Sequence, residues 1–94
     1  MSRTAVVVFS MAGCPACSEY MPRFNRIARR AADGVPVHVL DAADPRHQAL
    51  AERLGVSATP ATYVLRSPAG AVALIGAAPN ADIEQLFQIA RAHR

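Results

Sequence analysis

The chain has 94 residues, 52% of them hydrophobic, and a formal net charge of +3. That composition suits one packed domain over residues 1–94 and excludes a disordered chain. No stretch reaches the ~18 apolar residues of a membrane span, and the basic residues, all of them Arg, are not interleaved with exposed aromatics. Neither a membrane nor a nucleic acid is therefore expected as a partner.

Residues 4–9 form a β-branched, continuously apolar run, the pattern of a central strand covered on both faces. Residues 10–13 read as a turn. From Cys14 the apolar spacing becomes helical, with Cys17, Met21, Phe24, Ile27, Ala28 and Ala31 recurring at threes and fours. Pro15 suits the first helical turn, where no N–H is missed, and Pro22 falls inside the helix, where a kink is expected. Asp33-Gly34 ends it. Residues 35–40 read as a second strand. Asp44 then caps a helix with Pro45 at its first position, running to Leu54 and stopped by Gly55.

Residues 56–60 are a loop, and residues 61–66 and 71–75 are strands joined by the turn Ser67-Pro68-Ala69-Gly70. After a second loop, residues 76–79, Asn80 is expected to cap a last helix that buries Ile83, Leu86, Phe87 and Ala90. The order βαβαββα implies an α/β fold. A right-handed crossover makes the first two strands parallel, and the late hairpin adds antiparallel strands to a four-stranded mixed sheet. One helix on one face and two on the other would cover it. With aromatics at only 5% and no Trp, Ala, Val and Leu are expected to make most of the core.

Cys14-Pro15-Ala16-Cys17 holds both cysteines, placed directly after the first strand. Strand, Cys-x-x-Cys, then helix reads as a redox-active pair. If Cys14 caps the helix, its sulfur sits at the positive end of the dipole beside unpaired N–H groups. That favours thiolate over thiol, and the thiolate is the nucleophile. Cys17 lies one turn on, within reach of a disulfide. Half of a tetrahedral zinc site is the competing reading, but it needs two further ligands, and His38, His47 and His93 show no paired spacing. All three histidines read as packed, edge or surface residues. Arg23, Arg26 and Arg30 share a helical face, read as solvated, with steering of acidic partners as the sharper alternative.

Four segments in order resemble the thioredoxin/glutaredoxin superfamily. They are Phe9 to Cys17, strand then Cys-x-x-Cys; Pro22, at the helix proline of thioredoxins; Leu54 to Thr62, similar to the family's Gly-Val…Thr-Pro-Thr segment; and Gly76-Ala77, similar to its glycine loop. The resemblance covers nearly the whole chain and implies a thioredoxin-like fold in its short form. It implies catalytic roles for Cys14 and Cys17, a cis bond at Thr59-Pro60, and a substrate surface of Pro15, Ala16, Thr59, Pro60, Gly76 and Ala77. The backbone of Thr59 would pair with an extended substrate chain. Taken without the resemblance, Thr59-Pro60 reads as a simple turn ahead of a strand.

Departures are informative. Gly13 stands where thioredoxins carry Trp, and Val8 where they carry a buried acid that helps proton transfer at the second cysteine. Cys-Pro-x-Cys is glutaredoxin-like, yet Gly76-Ala77-Ala78-Pro79-Asn80-Ala81-Asp82 has one acid, where glutaredoxins show a Gly-Gly and an acidic pair for glutathione.

The implied activity is thiol–disulfide exchange on protein disulfides. The electron donor would be a thioredoxin reductase or glutathione, and no cofactor is needed beyond the Cys14–Cys17 couple. Glutaredoxin-type activity with glutathione and a metal or iron–sulfur module are the alternatives. A monomer in the reducing cytoplasm is expected, since no export signal is evident.

Overall fold

A computed structural model describes residues 4–66 and 71–94. Strand β1 (Thr4–Ser10) leads into helix α1 (Pro15–Ala31), and β2 (Val37–Asp41) follows. A 3-10 turn (Pro45–His47) opens directly into α2 (Gln48–Leu54), after which come β3 (Ala61–Arg66), β4 (Ala71–Ile75) and α3 (Asn80–Ala92). The strands order β2-β1-β3-β4, with β1 parallel to β2 and antiparallel to β3, and β3 antiparallel to β4. This is the α/β, βαβαββα arrangement expected of a thioredoxin-like fold.

Continuous hydrophobicity in β1 has a clear cause. Val6 and Val8 face one side of the sheet, where they pack with Tyr20, Phe24 and Ile27 of α1 and Ile83, Leu86, Phe87 and Ala90 of α3. Val7 and Phe9 face the other, against Leu50, Ala51 and Leu54 of α2. Two helices thus cover one face and one the other. Among the described residues Ala, Val and Leu make up most of the buried hydrophobic positions, as expected, though by Val and Ala more than Leu. All five aromatic residues are buried, and only one leucine, Leu86, is. Rings fill space that smaller side chains cannot. Phe24 lies between Tyr20 and Phe87, with ring centroids 5.9 and 5.7 Å apart.

Several boundaries differ from the expected ones. β2 begins at Val37, not residue 35, because the Val35 N–H bonds the Ala32 carbonyl and Pro36 has no N–H to give; the Pro36 carbonyl accepts from Val6. Asp44 does cap, accepting from Arg46 N at 2.9 Å, but the first turn is 3-10 before α2 begins. The cap position of α3 is Pro79, not Asn80: the Pro79 carbonyl accepts from Asp82 and Ile83, while the Asn80 side chain turns to Arg23. α1 runs unbroken through Pro22 and ends where Asp33 and Gly34 take positive φ. The expected turn over residues 67–70 lies outside the described residues.

Candidate functional site

The sheet register assembles the site. Phe9 pairs with Ala61 and Ala61 with Ile75, so the end of β1, the start of β3 and the end of β4 stand in one row. The segments attached there, residues 10–14, 56–60 and 76–79, must converge at one edge of the sheet.

Cys14 takes an extended conformation (φ −97°, ψ 107°) and is the N-cap of α1. Its Sγ accepts from the Cys17 backbone N–H at 3.1 Å, one of the donors that a helix start leaves unpaired. Thr59 meets the same sulfur. Its Oγ1 donates to Cys14 Sγ at 3.4 Å, and in the thiol form Cys14 can donate to the Thr59 carbonyl at 3.5 Å. Hydrogen bonds with the Cys17 side chain and then that of Thr59 hold the Cys14 thiol below its ordinary pKa; desolvation opposes them, and the Cys17 and Ala16 amides add smaller lowering contributions. Cys17 is only 4% exposed, whereas Cys14 is half-buried, and both thiols are free. Attack from outside can reach the first sulfur and not the second.

The Thr59–Pro60 bond is cis, as the resemblance implies. Gly76 donates its N–H to the Pro60 carbonyl at 2.8 Å. Gly76 sits at φ +82°, a left-handed conformation that a side chain would strain even though space for a Cβ is open there. Ala77 is exposed on that loop, and Pro15 and Ala16 are exposed at the helix start. The eight residues singled out from the sequence therefore meet at one edge. Exposed Met11 (43%) and Ile75 (62%) add apolar surface beside them. A groove of about 290 Å³, lined by Met11, Ala51, Val56, Ala58 and Thr59 among others, runs beside Thr59 along α2.

Sequence reasoning missed two contributors. Tyr20 is fully buried, and its hydroxyl pairs with that of Thr62, also fully buried, at 2.8 Å. Its position three residues after Cys17 on the buried stripe was the available signal. Arg23 is the other. Its Nη1 bonds the Ala78 carbonyl at 2.9 Å and Asn80 Oδ1 at 2.7 Å, a contact across 55 residues that spacing cannot reveal. Val8, where an acid was expected by resemblance, is fully buried opposite Thr62.

The remaining candidates lie elsewhere. His38 is exposed on edge strand β2, and His47 faces Asp44 at 3.8 Å. Among the described residues no three His, Cys, Asp or Glu side chains group as a ligand set, and no helix is long and apolar enough to cross a membrane. On the basic face, Arg23 pairs with Glu19 and Arg30 with Glu84. A larger depression of about 670 Å³, lined by Arg29, Arg30, Glu84 and Arg91, sits at the C-terminal end of α1. That is roughly 20 Å along the helix from Cys14 at 1.5 Å per residue.

A solvent-facing thiol at a helix start, a buried thiol one turn on and a cis-proline loop against the first sulfur define a dithiol site on a thioredoxin-type sheet. The family model described as Thioredoxin matches residues 1–89, and the chain belongs to the thioredoxin family, whose members are thiol–disulfide oxidoreductases acting on protein disulfides. No curated protein matches it. Among solved structures it is similar to chloroplastic thioredoxin z (22% identity, TM-score 0.73, covering 96% of this chain and 80% of that one). It is also similar to the thioredoxin of Malassezia sympodialis (24%, 0.76, 90% and 78%) and to spinach chloroplast thioredoxin f (20%, 0.76, 96% and 78%).

Proposed function

We propose that this chain is a dithiol reductase of protein disulfides, with Cys14 as nucleophile and Cys17 as resolving thiol. The observation that carries the reading is Cys14 Sγ itself: half-buried at the helix N-cap, hydrogen-bonded by the Cys17 amide and by Thr59, and held below its ordinary pKa.

The Cys14 thiolate attacks one sulfur of a substrate disulfide. A Cys14–substrate bond forms, the substrate S–S bond breaks, and the leaving thiolate takes a proton from water. Cys17 then loses its proton and attacks Cys14 Sγ. The Cys14–Cys17 disulfide forms and the second substrate thiol departs, so two electrons pass to the substrate. The Cys17 N–H, fixed by the helix, serves the sulfur while it carries charge. Thr59, with its carbonyl beside Cys14, offers backbone to an extended substrate segment, and Gly76 and Ala77 form the opposite wall. Pro15 and Ala16 leave the approach uncharged.

A flavoprotein reductase of the thioredoxin reductase class returns the two electrons. Asp82, in the first turn of α3, is the single acid after the last loop and supports this donor over glutathione, which glutaredoxins hold with an acidic pair. The working compartment is a reducing one, where such disulfides are transient and catalytic.

Insulin reduction with dithiothreitol as electron source tests the roles. Cys14→Ser abolishes turnover, and Cys17→Ser accumulates mixed disulfides visible by mass. Full turnover by Cys14→Ser would overturn the assignment. Substituting glutathione with glutathione reductase for a thioredoxin reductase system identifies the donor; faster turnover with glutathione would overturn the choice made here.

A further inference from the structure

The loop Gly76-Ala77-Ala78-Pro79 carries no polar side chain with which to anchor itself. Gly76 N–H reaches Pro60 and Ala78 N–H reaches the Gly76 carbonyl, but the Ala78 carbonyl takes its hydrogen bond from Arg23, on α1. All three guanidinium nitrogens donate. Nε and Nη2 bind the two oxygens of Glu19 at 2.6 and 2.7 Å, and Nη1 binds the Ala78 carbonyl at 2.9 Å and Asn80 Oδ1 at 2.7 Å. The guanidinium carbon also lies 5.6 Å from the centre of the Tyr20 ring, and Tyr20 reaches Thr62, two residues past Pro60. Cys17, Tyr20 and Arg23 follow one another at three-residue steps, so the helix that presents the cysteines also braces both segments flanking them.

We propose that Arg23 is a positioning residue that fixes the 76–79 loop against Pro60 and thereby sets affinity for protein disulfides; this rests on the reading of Gly76 and Ala77 as a substrate wall. A bland alternative is an intrahelical Glu19–Arg23 pair, worth only a few tenths of a kcal/mol in isolated helices. Against it stand the 19% exposure of the Arg23 side chain and the Nη1 bonds to two loop partners, which an intrahelical pair does not require. Only arginine presents donors on three sides of a plane, so lysine cannot replace it.

Two variants separate these readings. Arg23→Met keeps an aliphatic stem over the Tyr20 ring and removes every donor. The double swap Glu19→Arg with Arg23→Glu keeps an ion pair on the helix but leaves the Ala78 carbonyl without a donor at position 23. Steady-state reduction of insulin is measured beside reduction of a small aromatic disulfide, the pH profile of Cys14 alkylation and amide exchange of residues 76–78.

Loss of a charge-assisted bond to the loop should raise KM for insulin by about three- to tenfold in both variants. The small-disulfide rate and the alkylation profile stay as in the parent, and the loop amides exchange faster. An insulin KM within twofold of the parent in Arg23→Met overturns the proposal, as does recovery of the parent KM by the charge swap. So does a parallel fall in small-disulfide rate, which would locate the effect at the cysteines. A parent chain that reduces the small disulfide but not insulin overturns the protein-substrate reading, and this proposal with it. The first three outcomes leave that reading intact.

Discussion

Replacing Tyr20 with Phe removes one oxygen from a place that water does not reach. Tyr20 and Thr62 are each 0% exposed, and their hydroxyls lie 2.8 Å apart between α1 and β3. The loss of a hydrogen bond worth about 1 kcal/mol is the smaller part of the effect; the larger is that the Thr62 hydroxyl is left buried without its partner, for a total of about 1–3 kcal/mol. In a domain of this size each kcal/mol shifts Tm by about 4–8 °C. Tyr20→Phe should therefore melt at least about 4 °C below the parent, and Thr62→Val, which orphans the phenol instead, should do the same. The double variant removes both polar atoms and leaves no orphan, so its cost should fall well short of the sum, with a coupling of about 1 kcal/mol or more. Urea and thermal unfolding of the four proteins give the cycle. Strictly additive costs, or a Tyr20→Phe protein as stable as the parent, would refute the reasoning.

Three further outcomes follow from the titrating groups. Alkylation of Cys14 should show a midpoint below that of an ordinary thiol, and Thr59→Val should move it upward by removing the Oγ1 donor; an unmoved midpoint would deny Thr59 that role. Asp44 is lowered to about 2, first by its side-chain bond with Arg46 and then by the Arg46 amide. The carboxylate's contribution is thus present above its unfolded value near 3.8 and is lost as pH falls toward about 2, and Asp44→Asn should flatten that acid limb of the stability curve. Burial raises both Tyr20 and Tyr63 above 10, so the stability tied to the neutral phenols is complete below about pH 10 and lost as pH rises through the folded values. Tyr20→Phe should shed part of that alkaline loss.

Much of the fold was legible because the signals were local. The run of Val6, Val7, Val8 and Phe9 could only suit a strand covered twice, and both late strands were bounded by Pro or Gly turns. The Cys14 cap was legible for the same reason, since strand, turn and Pro15 leave one place for the helix to start. What escaped depended on partners far along the chain. Asn80 has the composition of a cap, yet Arg23 takes its side chain, and Pro79 serves the helix start through its carbonyl. Position 35 looks like strand, but Val35 bonds back to the helix it has just left. Spacing puts Tyr20 on the buried stripe of α1, but its partner Thr62 shows only where α1 and β3 meet. That all five rings would be buried did not follow from the aromatic fraction alone.

The central claim is that Cys14 and Cys17 form a reversible two-electron couple. Equilibrating the protein over a series of thiol–disulfide buffers and trapping free thiols with a mass-shifting alkylator tests it directly. The account predicts a single transition between a doubly alkylated chain and one carrying an intramolecular Cys14–Cys17 disulfide, with the slope of a two-electron couple. A chain that stays doubly alkylated at every poise, or oxidises only to mixed disulfides with the buffer, would contradict it.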